Sequence, residues 1–95
     1  MQIELKKLTT QWIAFSDIVI PEEGVTYMIQ NRGSNILIAY ESDVEPEEEN
    51  NEGVLVIPYE DIKYTAENEL YLRAYNDVCS INISTVKNTS GGAIQ

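Results

Sequence analysis

The acidic residues between positions 41 and 52 are the first candidates for chemistry. Glu41, Asp43, Glu45, Glu47, Glu48, Glu49 and Glu52 crowd into one short segment. Calcium takes six to eight oxygen ligands, and Glu41, Asp43, Glu45 and Glu47 stand at the alternate positions a calcium loop uses. Pro46 and the lack of an internal glycine oppose such a cage, so the expected metal set is none. The readings that remain are a solvated loop and a contact for a basic partner. Glu60 and Asp61 are a second acidic pair. Glycoside hydrolysis needs two carboxyls facing each other across a cleft, and neighbours in a turn do not converge in that way. Cys79 is the only cysteine and there is no histidine. Cys-His and Ser-His arrangements and zinc sites of the usual kind are therefore closed to this chain. Cys79 falls in an alternating apolar run and reads as a small buried hydrophobe. No glycine-rich phosphate loop is present, because Gly91-Gly92 follows no strand-to-helix transition. The expectation is a non-enzymatic protein with no catalytic residue and no cofactor.

The remaining candidates suit contact rather than catalysis. Tyr71, Arg73 and Tyr75 share one face of an alternating segment, opposite Leu70 and Leu72. Tyrosine and arginine dominate interface hot spots, so this stripe is a candidate contact surface. The alternative is sheet packing, with Arg73 lying between tyrosine rings and paired to an acid on a neighbouring strand. Trp12 reads as a core or subunit contact. Ile94, a lone apolar residue in NTSGGAIQ, would suit a small pocket on a neighbour.

These residues must be held by a small all-β frame. At 95 residues the chain has room for one core. Its 43% hydrophobic content is that of a globular protein. Helical periodicity is weak throughout, while alternating apolar runs recur. Ile3 and Leu5 suggest a first strand, and Trp12–Phe15 and Ile18–Ile20 form short apolar runs. Val25–Asn31 and Ile36–Glu41 are predicted to pair as an antiparallel hairpin across Asn31-Arg32-Gly33-Ser34. Ile36–Glu41 is apolar on both faces, which predicts a central strand covered on both sides. The segment SDVEPEEENNE, with six acids in eleven residues, is predicted to protrude as a loop. Gly53–Pro58 and Ile62–Thr65 follow. Glu69–Tyr75 faces inward with Leu70, Leu72 and Ala74. Asn76-Asp77 is predicted to turn a hairpin into Val78–Val86, with Cys79, Ile81 and Ile83 inward. The fold class is all-β: a single antiparallel β-sandwich or barrel of about seven to eight strands. It comprises a domain over 1–87, with the acidic loop at 41–52, and a flexible tail at 88–95.

The net charge of −10 opposes nucleic-acid phosphates and anionic membrane surfaces. No apolar run nears the ~20 residues that span a bilayer. MQIELKKLTT lacks an apolar segment behind its lysines, so it does not read as a signal peptide. The expected place is a cytoplasm, with release by a route such as lysis.

TYMIQNRGSNILIAYES and GVLVIPYEDIKYTAENELYLRAYNDVCSINIST together resemble small β-sandwich virion proteins of tailed phages. The sharpest points are the Gln-Asn-Arg-Gly turn and the Leu-Tyr-Leu-Arg-Ala strand. The family comprises capsid decoration or auxiliary proteins, head-fibre bases and tail adaptors. The resemblance implies a structural protein of the bacteriophage virion, assembled in the host cytoplasm. It implies binding to other virion proteins, the major capsid protein first among them. Capsid decoration is the leading expectation, with a tail or neck adaptor as its alternative. A homo-oligomer joined through Tyr71, Arg73 and Tyr75 is a further arrangement. A carbohydrate- or cell-surface-binding module, with tyrosines as stacking platforms, is the reading from a different class. The acidic loop departs from the family pattern, which more often has a short Ala/Pro/Thr-rich connection there.

Overall fold

Alternation along the chain becomes two antiparallel sheets facing each other. The computed structural model describes residues 2–48 and 50–86. Its strands are β1 (Gln2–Leu8), β2 (Ile13–Ala14), β3 (Thr26–Asn31), β4 (Leu37–Glu41), β5 (Val54–Val56), β6 (Asp61–Thr65), β7 (Leu70–Ala74) and β8 (Cys79–Thr85). One sheet has the order β1-β8-β3-β6 and the other β2-β7-β4-β5. This is the expected all-β sandwich. A 3-10 turn, Phe15–Asp17, interrupts the strands, and among the described residues no helix is long and apolar enough to cross a membrane.

The inner faces are those the alternation foretold. Tyr27 and Ile29 of β3 and Cys79, Ile81 and Ile83 of β8 line one wall of the core. Leu37 and Ala39 of β4 with Leu70, Leu72 and Ala74 of β7 line the other. Phe15 plugs the space between them, with ring centroids 5.1 Å from both Tyr27 and Tyr64. Both tyrosine hydroxyls reach the rim of the core and are satisfied there. Tyr27 Oη accepts from the Glu22 amide at 3.0 Å, and Tyr64 Oη donates to the Asn68 carbonyl.

Two expected hairpins do not form. β3 pairs with β6 and β8, whereas β4 pairs with β5 and β7, so the predicted β3–β4 hairpin is instead a crossing between sheets. Asn31 turns the chain out of β3. Its Oδ1 accepts from the Gly33 amide at 3.0 Å, and its Nδ2 donates to the Asn35 carbonyl at 2.8 Å. Gly33 lies so close to β8 that a Cβ would sit 2.8 Å from the Ser80 nitrogen. Asn76-Asp77 likewise carries the chain from one sheet to the other, with Asp77 at a φ of 62°. The physical reason is shared. β3 and β4, like β7 and β8, supply opposite walls of one core, and a hairpin would place each pair on the same wall.

β4 is interior in its sheet, as its two apolar faces predicted. The two edges β5 and β6 flank the same side of the sandwich. The predicted tail at 88–95, with Ile94, lies outside the described residues.

Candidate functional site

The outer face of the β2-β7-β4-β5 sheet holds most of the residues singled out by type. Arg73 is buried there. Its guanidinium carbon lies 4.9 Å from the centre of the Trp12 ring, a cation–π stack. Nη2 donates to the Asn50 carbonyl at 3.1 Å and to Asn51 Oδ1, and Nη1 donates to the Ala74 carbonyl at 3.3 Å. Among the described residues Nε has no partner. Trp12 Nε1 donates to the Glu47 carbonyl at 2.9 Å, and its ring lies 6.2 Å from that of Tyr40.

The acidic segment therefore does not protrude. It folds back over the sheet, held by the Glu47 and Asn50 carbonyls and the Asn51 amide, with Pro46 buried beneath it. The carboxylates of Glu45, Glu47, Glu48 and Glu52 stay exposed. Composition misleads here because backbone carbonyls, which every residue carries, do the packing. Ile38, the cross-strand neighbour of Arg73, is 0% exposed yet lies outside the main core.

Trp12 and Arg73 are thus brought together inside the chain's own fold. Tyr71 is half-buried opposite Tyr40, and Tyr75 lies beyond the end of β7, 41% exposed. Arg73 donates to the Asn50 and Ala74 carbonyls and the Asn51 side chain rather than to a neighbouring-strand acid. The shared tyrosine face a sugar platform needs is divided between these two settings.

Cys79 sits in the main core with Sγ 3.1 Å from Asn31 Oδ1. Burial pushes its thiol above the ordinary value. Tyr64 and Tyr71 are also raised, by burial first and then by the nearby Glu69 carboxylate. All three groups hold their protons more tightly folded than unfolded. Their contribution is complete below the unfolded values, 9.0 for the thiol and 10.0 for the phenols, and is lost as pH rises beyond them. Urea midpoints are expected to fall steadily as pH is raised above 9.0. Cys79 is expected to react with a thiol reagent only at the rate of unfolding. Glu60 and Asp61 are both exposed where β6 begins. Among the described residues, no three Asp, Glu, Cys or His side chains gather to hold an ion.

The flank formed by β5 and β6 was not singled out by residue type. β5 has a neighbour on one side only. Val54, Leu55, Ile57 and Tyr59 are 52–68% exposed. Beside them a cleft of about 330 Å³ opens between the two sheets, lined by Ala39, Val54, Ile62, Tyr64 and Leu70. Edge strands are usually guarded by charge. β6 follows that rule with exposed Asp61 and Lys63, paired at 3.7 Å. β5 carries no charge, since residues 53–59 contain no charged side chain, and is limited only by its three-residue length and by Pro58. That seven-residue uncharged run, apolar on both strand faces in a chain of net charge −10, was the available sequence signal.

Gly53 starts this flank. Its φ is 119°, and a Cβ there would collide with the Ala39 carbonyl oxygen. Gly53→Ala is expected to cost about 2 kcal/mol, combining positive-φ strain with displacement of β5 from β4. Urea unfolding gives the loss, and faster amide exchange over residues 54–56 would localise it.

Comparison with protein-family models, with curated proteins and with solved structures returned no match to this chain.

Proposed function

We propose that this chain is a non-enzymatic structural protein that attaches to a larger protein assembly through its β5 flank. The observation that carries the reading is the uncharged, exposed apolar edge in an otherwise strongly acidic chain. Contiguous exposed apolar surface marks sites of protein contact, and an edge strand without charges is normally a hazard that a fold suppresses. Its retention is accounted for by a partner that covers it.

The resemblance of residues 26–42 and 53–85 to small tailed-phage virion proteins supplies the specific form of the proposal. The assembly is a phage particle, and the chain decorates its capsid. A tail or neck adaptor is the alternative within the same class. Mass spectrometry of density-purified particles from a culture encoding the chain tests this directly. A fixed copy number per particle is the expected result, and immunogold label on the head separates decoration from an adaptor. Absence of the chain from purified particles overturns the virion reading.

A further inference from the structure

We infer that the β5 flank receives an extended segment of a partner protein by strand addition, and that this segment is apolar at its centre and basic at its ends. The inference rests on the reading of this flank as the attachment surface and names what fits it. Four observations converge. β5 pairs only with β4, leaving one side open to a further strand. A strand laid beside β5 would send alternate side chains toward the 330 Å³ cleft, whose walls Val54, Ile62, Tyr64 and Leu70 are apolar or aromatic. The other side chains would lie beside the exposed Leu55 and Ile57. Finally, the rim is mainly acidic: Glu41 borders the cleft and exposed Glu52 and Glu60 bracket the uncharged run, while the one basic lining residue, Lys63, is paired with Asp61.

Charge decides among the possible occupants. In a two-fold edge pairing centred on Val56, Glu52 of one copy would face Glu60 of the other, and each chain carries −10. Like charges placed opposite one another oppose such a dimer. The chain's own residues 87–95, KNTSGGAIQ, hold one basic residue and end in a lone Ala93-Ile94 apolar pair, which does not supply an apolar centre with basic ends. Lysine or arginine at both ends of a partner segment would meet the rim carboxylates and steer its approach.

The test uses the full chain and two synthetic peptides that alternate valine and threonine. One has paired lysines at each end and the other paired glutamates. NMR titration is expected to show amide shifts confined to residues 53–57 and the cleft walls, with the lysine-ended peptide binding at least about tenfold more tightly. Leu55→Lys should abolish binding, and the double variant Glu52→Lys, Glu60→Lys should reverse the peptide preference. Equal binding of both peptides, shifts elsewhere on the sandwich, or no binding overturns strand addition by a basic-ended segment. Light scattering that shows a dimer dissolved by Leu55→Lys would make a second copy the occupant. Faster β5 amide exchange after deletion of residues 88–95 would make it the chain's own tail. Either result also overturns the inference. Particle composition is measured separately, so this inference can fail while the virion proposal stands, and the reverse.

Discussion

Asn31→Ala is expected to destabilise the fold by about 3–4 kcal/mol, seen as a large drop in urea midpoint with an unchanged slope. For a domain of this size the whole stability is on the order of 5–14 kcal/mol, so this one amide accounts for much of it. Asn31 is fully buried. Its Nδ2 donates to the Val56 carbonyl at 2.7 Å in addition to the Asn35 carbonyl. Its Oδ1 accepts from the Gly33 amide and faces the Cys79 thiol. It thereby joins β3 in one sheet to β5 in the other while shaping the turn that separates β3 from β4. Alanine leaves two carbonyls and an amide without their partner, and a buried polar group left unpaired costs about 1–3 kcal/mol. Asn31→Asp is the sharper control. It keeps the shape but sets a carboxylate against two carbonyl oxygens. Folding would raise the pKa of that carboxyl, so stability is greatest below its unfolded value and is lost as pH rises. The Asp variant should therefore recover toward the parent in acid and fall to or below the Ala variant at neutral pH. A loss under 1 kcal/mol in both would show that Asn31 does not hold the sheets together.

Trp12→Ala is expected to cost about 3 kcal/mol and to release the acidic segment from the sheet. The loss combines a large aromatic surface, the stack beneath Arg73 and the hydrogen bond to Glu47. Removing the ring also uncovers a buried guanidinium whose Nε has no partner among the described residues. A glutamate-specific protease gives the decisive readout. It should cut the variant between residues 45 and 52 under conditions that leave the parent intact. Trp12→Phe keeps a smaller aromatic face for Arg73 and lacks the N–H donor and the second ring, so about 1–2 kcal/mol is expected. Equal cleavage of parent and Trp12→Ala would mean that the segment does not stay folded back in solution.

The strands themselves could be read from the sequence because one residue in two must face the core. Leu70, Leu72 and Ala74 and Cys79, Ile81 and Ile83 announce this by simple alternation. Their pairing could not be read in the same way. A polar turn between two alternating runs serves equally for a hairpin and for a crossing between sheets. Distant contacts decide the outcome, such as Asn31 with Val56 and Gly33 with Ser80. Residue type pointed to Trp12 and Arg73 as unusual, and they are, though the surface they meet belongs to the same chain. The acids of the 42–52 segment concealed that its carbonyls and Pro46 would pack. The β5 edge was overlooked because hydrophobic residues are expected inside, and only topology shows that Val54 and Leu55 end up at a border.

The position of β8 has a bearing on how the molecule comes into being. β8 lies between β1 and β3, so these two strands are not paired with each other and are joined through a strand that is made some seventy residues after the first. Until synthesis has passed Thr85, β1 has no pairing partner in its sheet and β3 has only β6. Half of the core wall facing β7 and β4 is missing for the same interval. Such distant pairings slow folding, and they tie completion of this sheet to the emergence of β8. Throughout that wait the high negative charge of the chain would keep unfinished copies apart.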